Sequence, residues 1–123
     1  VGNPGLERVR QSLRYLKRKC SADFVIVNGE NTAVLGLTPE QAEEIFDAGA
    51  DVITMGNHTF GKRELCAYLD DNSRILRPAN FAPQVPGRGV GALWWPTDAL
   101  LLHGHNCAWM MHMRVRRSAR CCV

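Results

Sequence analysis

The last third of this chain is short of acid. After Asp71 the one acidic residue is Asp98, and after Lys62 there is no lysine. Long apolar runs are missing too. Nothing approaches the roughly 20 residues of a membrane-spanning helix, which excludes such a helix from this stretch of sequence. No glycine-rich nucleotide fingerprint follows either of the strand-like runs described below, so the simplest P-loop and dinucleotide readings fall away. The opening Val1-Gly-Asn-Pro-Gly5 leads straight into a charged helix and has none of the pattern of a signal peptide. The five cysteines are odd in number and irregularly spaced. They read as free thiols of a cytoplasmic protein, not as a disulfide framework. A net charge of +3 over 123 residues makes no case for nucleic acid.

What remains is ordinary in total and uneven in distribution. A composition of 46% hydrophobic and 22% charged residues suits one soluble domain with a modest core. Yet all three tryptophans, three of the five cysteines, three of the four histidines and three of the four methionines lie beyond residue 90. The sequence therefore divides into residues 1–90, with the composition of a normal domain, and residues 91–123, a basic tail rich in Trp, Cys, His and Arg. The tail is expected to stand outside the native domain.

In chain order, Pro4 to Lys19 has Leu6, Val9, Leu13 and Leu16 at helical spacing, with Arg8, Arg10, Arg14, Lys17 and Arg18 on a solvated face. Phe24-Val-Ile-Val27 is continuous and β-branched, which predicts a strand buried on both faces over Asp23 to Asn28. Thr38-Pro-Glu-Gln41 predicts a helix start: Thr38 caps, Pro39 fits the first position and Gln41 completes a capping box. Gly49 ends that helix. Asp51 to Met55 predicts a second strand, Lys62 to Leu69 a short helix, and Ile75-Leu76 a third strand stopped by Pro78. This alternation predicts an α/β fold: a parallel βαβ core with helices on the sheet faces.

In a parallel sheet, functional groups gather beyond the carboxyl ends of the strands. Two polar loops fall there, Gly29-Glu-Asn31 and Gly56-Asn-His58. Neighbouring strands would bring Glu30 and Asn31 to within a few ångströms of Asn57 and His58. A carboxylate, amides and an imidazole together suit a hard or borderline metal ion. A carboxylate can bridge two metals for displacement at phosphorus, and an imidazole beside them can protonate a leaving oxygen. Taken singly, the same residues also suit a helix cap, a salt bridge or turn chemistry. Spacing alone leaves both readings open.

The motifs in order are Asn28-Gly-Glu-Asn31, Gly36-Leu-Thr-Pro39, Asp51-Val-Ile-Thr-Met-Gly-Asn-His-Thr59, Leu76-Arg-Pro-Ala-Asn80 and Pro86-Gly87. Gly56-Asn-His58 resembles the Gly-Asn-His motif of calcineurin-like metallophosphoesterases. The whole series, over residues 1 to about 89, resembles the YmdB-like family, bacterial enzymes described as 2',3'-cyclic-nucleotide 2'-phosphodiesterases. The resemblance implies a partial α/β/β/α metallophosphoesterase sandwich and two divalent metal ions, usually iron or manganese. It implies Glu30 as a bridging metal ligand, Asn31 and Asn57 as ligands to one metal each, and His58 as proton donor. The substrate implied is a cyclic nucleotide or related phosphodiester.

Family members also have a first strand ending in Gly-Asp, and histidines from a second half, two of them in a Gly-x-His-x-His-like motif. His103-Gly-His105 is far too near His58 to be that motif. The expectation is an N-terminal fragment with an incomplete metal site, joined to an out-of-frame or otherwise aberrant tail and prone to self-association. The alternatives differ in class. The chain could be an inactive fragment or binding module that associates through its tail, with Arg114, Arg116, Arg117 and Arg120 on RNA or an acidic partner. A tail metal site of His103, His105, Cys107 and His112 matches no familiar zinc spacing.

Overall fold

Thr38 begins the helix whose limits are most sharply set by local chemistry. In the computed structural model its hydroxyl accepts from the Gln41 amide at 3.2 Å, and the Gln41 side chain accepts from the Thr38 amide at 3.2 Å. Helix α2 then runs Pro39–Asp47, and the chain turns at Gly49 with φ +113°. Only a residue without a Cβ enters that conformation easily. The structure describes residues 1–94, 99–105 and 108–112.

The remaining elements are α1 (Gly2–Lys19), β1 (Ile26–Asn28), β2 (Val52–Thr54), α3 (Leu65–Asp71), β3 (Ile75–Leu76), β4 (Val90–Trp94), β5 (Ala99–His105) and β6 (Ala108–His112). β1, β2 and β3 form a parallel sheet in that order, with Asn28 opposite Thr54 and Thr54 opposite Leu76. The parallel βαβ core is therefore present. Alternation along the strands sorts its two faces. Val27, Ile53 and Ile75 join Leu6, Ile45, Phe46, Leu65 and Leu69 from the three helices in the main core. Ile26, Val52 and Leu76 face the other way with Phe24, and Gly91 at the start of β4 lies against the Leu76 side chain.

Four expectations shift. The first strand is shorter than the apolar run and only partly buried, although β3, at the other edge of this sheet among the described residues, is fully buried, so what packs on its faces and not its edge position sets the difference. A strand buried on both faces needs neighbours that the local run does not encode. Helix α1 begins at Gly2, two residues before Pro4, and α3 begins at Leu65, with 3.1–3.2 Å turn bonds over Lys62 to Cys66 preceding it. Beyond residue 89, β4, β5 and β6 form an antiparallel sheet, a pattern the aperiodic composition did not suggest. His103, His105 and His112 sit on β5 and β6. Cys107, Arg114, Arg116, Arg117 and Arg120 lie outside the described residues. Among the described residues no helix is long and apolar enough to cross a membrane.

Candidate active site

The loops after β1 and β2 are built alike. Each runs Gly-x-x-Thr beyond its strand, directly after β1 and one residue later after β2: Gly29-Glu-Asn-Thr32 and Gly56-Asn-His-Thr59. In the first, the Gly29 carbonyl accepts from the Thr32 amide at 3.2 Å and from its hydroxyl at 3.0 Å. In the second, the Gly56 carbonyl accepts from the Thr59 amide at 3.2 Å and from its hydroxyl at 2.6 Å. Both threonines are buried, so each hydroxyl depends on that carbonyl for its bond. The turns hold Glu30 and Asn57 at equivalent positions, and Asn31 and His58 at the next. Sequence reasoning singled out the polar pairs and missed the threonines; the repeated Gly-x-x-Thr was the signal.

The β1–β2 register and these turns bring the loops together. The Glu30 carboxylate accepts from the His58 amide at 3.2 Å. His58 Nδ1 lies 2.9 Å from Asn31 Oδ1 and 4.0 Å from Glu30 Oε1. A carbonyl oxygen only accepts, so Nδ1 carries the hydrogen of that contact. Nε2 makes no hydrogen bond within the described residues and is the nitrogen left for a substrate. The Glu30 side chain is 18% exposed and that of His58 37%, so the acid and the imidazole are both partly open to solvent. Asn57 is exposed, and its side chain bonds nothing among the described residues. The structure thus brings Glu30, Asn31 and His58 into contact and leaves Asn57 beside them at the rim.

The frame around these residues is backbone packed on backbone. Gly36, at φ +92°, donates its amide to the Glu30 carbonyl at 2.8 Å. A Cβ on Gly36 would come 3.1 Å from the His58 carbonyl, and one on Gly61 would come 2.7 Å from the Leu35 carbonyl. The two loops interlock through these glycines. Val34 precedes them with φ +69°, which is strained for a β-branched residue.

The donors available to a metal are one carboxylate, two amides and an imidazole. Among the described residues no group of three or more His, Cys, Asp or Glu is placed to hold an ion. The donor set, with Glu30 seated against the bare Cα of Gly56, nevertheless fits one side of an oxygen-rich site for a hard or borderline divalent cation.

Known proteins supply the context. A family profile described as YmdB-like protein matches residues 1–108. The chain is 44% identical over 91 residues to the 2',3'-cyclic-nucleotide 2'-phosphodiesterase of Bacillus subtilis (strain 168), covering 73% of this chain and 34% of that relative. It is similar to the crystal structure of a hypothetical protein from Thermus thermophilus, with a TM-score of 0.75 and 33% identity over 82% of this chain and 39% of that one. It is similar, too, to the crystal structure of a novel phosphatase from Mycoplasma pneumoniae, with a TM-score of 0.73 and 34% identity over 81% of this chain and 37% of that one. The chain spans roughly a third of the length of these relatives.

Proposed function

This chain belongs to the YmdB-like protein family, and from that premise we propose that it carries part of the active site of a metal-dependent phosphodiesterase. The substrate class is a 2',3'-cyclic nucleotide or related phosphodiester, the chemistry for which the Bacillus subtilis relative is named. The observation that carries the reading is the contact of Glu30, Asn31 and His58 beyond the carboxyl ends of two parallel strands.

Glu30, Asn31 and Asn57 are the residues that would hold two divalent ions, iron or manganese. Bound there, the ions would supply Lewis-acid stabilisation of charge at phosphorus. The protein's own residues do the rest. Asn31 fixes the His58 ring through Nδ1 and leaves Nε2 free, so the doubly protonated ring, its second proton taken from solvent, would donate from Nε2 to the leaving oxygen. The His58 amide holds the Glu30 carboxylate in place. Asn31 Oδ1 has a second lone pair, so orienting the ring and binding a metal are compatible roles.

The test is hydrolysis of 2',3'-cyclic AMP with added Mn²⁺. His58→Ala should lower turnover by about 10²–10⁴-fold, the usual worth of a positioned general acid. Glu30→Gln should lower Mn²⁺ affinity. Activity that survives both substitutions unchanged would falsify the reading. One observation favours a second reading, a binding module: the lack of a three-member ligand cluster among the described residues. Wild-type chain that retains no metal after dialysis, and binds a partner without it, would decide for that alternative.

A further inference from the structure

We propose that Gly56 is a positioning residue for Glu30, kept free of a side chain so that the Glu30 carboxylate can lie against its Cα. The proposal rests on the assignment of Glu30 to the metal. Backbone conformation gives no reason for glycine here. The described glycines with positive φ are Gly2, Gly36, Gly49 and Gly87, so position 56 does not need glycine for a left-handed backbone. Space gives the reason. A Cβ on Gly56 would come within 3.0 Å of Oε1, Cδ and Oε2 of Glu30, which are its three nearest neighbours. The same carboxylate accepts the His58 amide at 3.2 Å. It is thus held between the Cα of residue 56 and the N–H of residue 58.

The neighbouring glycines are different in kind. A Cβ on Gly61 would meet the Leu35 carbonyl at 2.7 Å, and one on Gly29 would meet the Ile53 side chain at 2.7 Å in the core. Substitution there strains backbone or packed core, which yields little. At Gly56 the obstructing group is the far end of a flexible, partly exposed side chain. Glu30 can swing outward, so the fold survives and the carboxylate leaves its place.

The experiment uses the full ¹⁵N-labelled chain without metal, as wild type, Gly56→Ala, Glu30→Ala and Gly61→Ala. In Gly56→Ala the His58 amide resonance should move to its position in Glu30→Ala, while amides away from the two loops stay put. The thermal midpoint should stay near wild type, whereas Gly61→Ala should lower it. The double variant Gly56→Ala/Glu30→Ala should show no further shift at His58, the non-additivity of residues acting through one contact. Mn²⁺ affinity, read by water-proton relaxation, should fall about tenfold or more in Gly56→Ala. A His58 amide that keeps its wild-type position in Gly56→Ala overturns the proposal. So does a Gly56→Ala chain that fails to fold, since the glycine would then serve the frame. Wild-type chain that binds no Mn²⁺ overturns the metal assignment instead, and the His58 amide still decides the role of Gly56.

Discussion

His58 Nδ1 and Asn31 Oδ1 are 2.9 Å apart, across a gap of 27 residues in sequence. The contact holds a hydrogen on Nδ1 and leaves Nε2 as the ring's free position. Removing the amide in Asn31→Ala should let the ring rotate and lower kcat about 10- to 100-fold. His58→Ala added to that variant should cost much less than it costs in the wild type, because the two act as one unit. Initial rates on 2',3'-cyclic AMP for the two single variants and the double variant give the comparison; full additivity would count against the orienting role.

The hydroxyl of Thr59 is fully buried and donates its hydrogen bond to the Gly56 carbonyl. Thr59→Val keeps the shape and removes the donor. Loss of about 1–2 kcal/mol is expected from urea unfolding, the usual scale for one buried bond. Thr32→Val, which breaks the matching bond at Gly29, should behave alike.

Thr38→Ala opens the capping box of α2 and leaves the Gln41 amide without its acceptor. The expected loss is about 1 kcal/mol, with an unchanged denaturant slope. A shift in slope instead would mean that the substitution alters the unfolded ensemble.

Val34 is 67% exposed and held at φ +69°, so its side chain gains little from burial and strains its backbone. Val34→Asn should therefore stabilise, by about 0.5–1 kcal/mol, since asparagine tolerates the left-handed region. The urea midpoint reads the effect directly, and a fall would show that the valine makes contacts worth more than its strain.

Tyr68 donates to Glu43 and accepts from Asn72 at 2.9 Å, tying α3 to α2. Burial, and then the bond to Glu43, raise its phenol above the ordinary 10.0. A raised folded-state value stabilises the neutral form, so the contribution is complete below pH 10.0 and is lost as pH climbs through the higher folded value. Urea midpoints should fall on the alkaline side in the wild type. Tyr68→Phe should remove that part of the fall while lowering the midpoint at neutral pH.

Local chemistry was legible wherever one stretch of chain decides its own conformation. The capping box at Thr38 and Gln41, the proline at the first helical position and the glycine at the end mark α2 in the sequence as they do in space. The β-branched run of Val52 to Thr54 reads as a buried strand and is one. The meeting of Glu30 and Asn31 with His58 follows from parallel pairing and from loops that leave neighbouring strands at the same end.

Tertiary structure decided what depends on neighbours. Phe24 to Val27 looks as buried as β2 in sequence, yet β1 is only partly buried, because burial of a strand is set by what packs on its faces. The sheet of β4, β5 and β6 rests on pairing across the chain, which composition does not reveal. The glycine of Gly56-Asn-His58 shows the difference most clearly. The sequence by itself placed it at a strand end, between a buried run and two polar residues. Only the fold set a carboxylate from 26 positions upstream against its Cα, because side chains that exclude one another act through space and not along the chain.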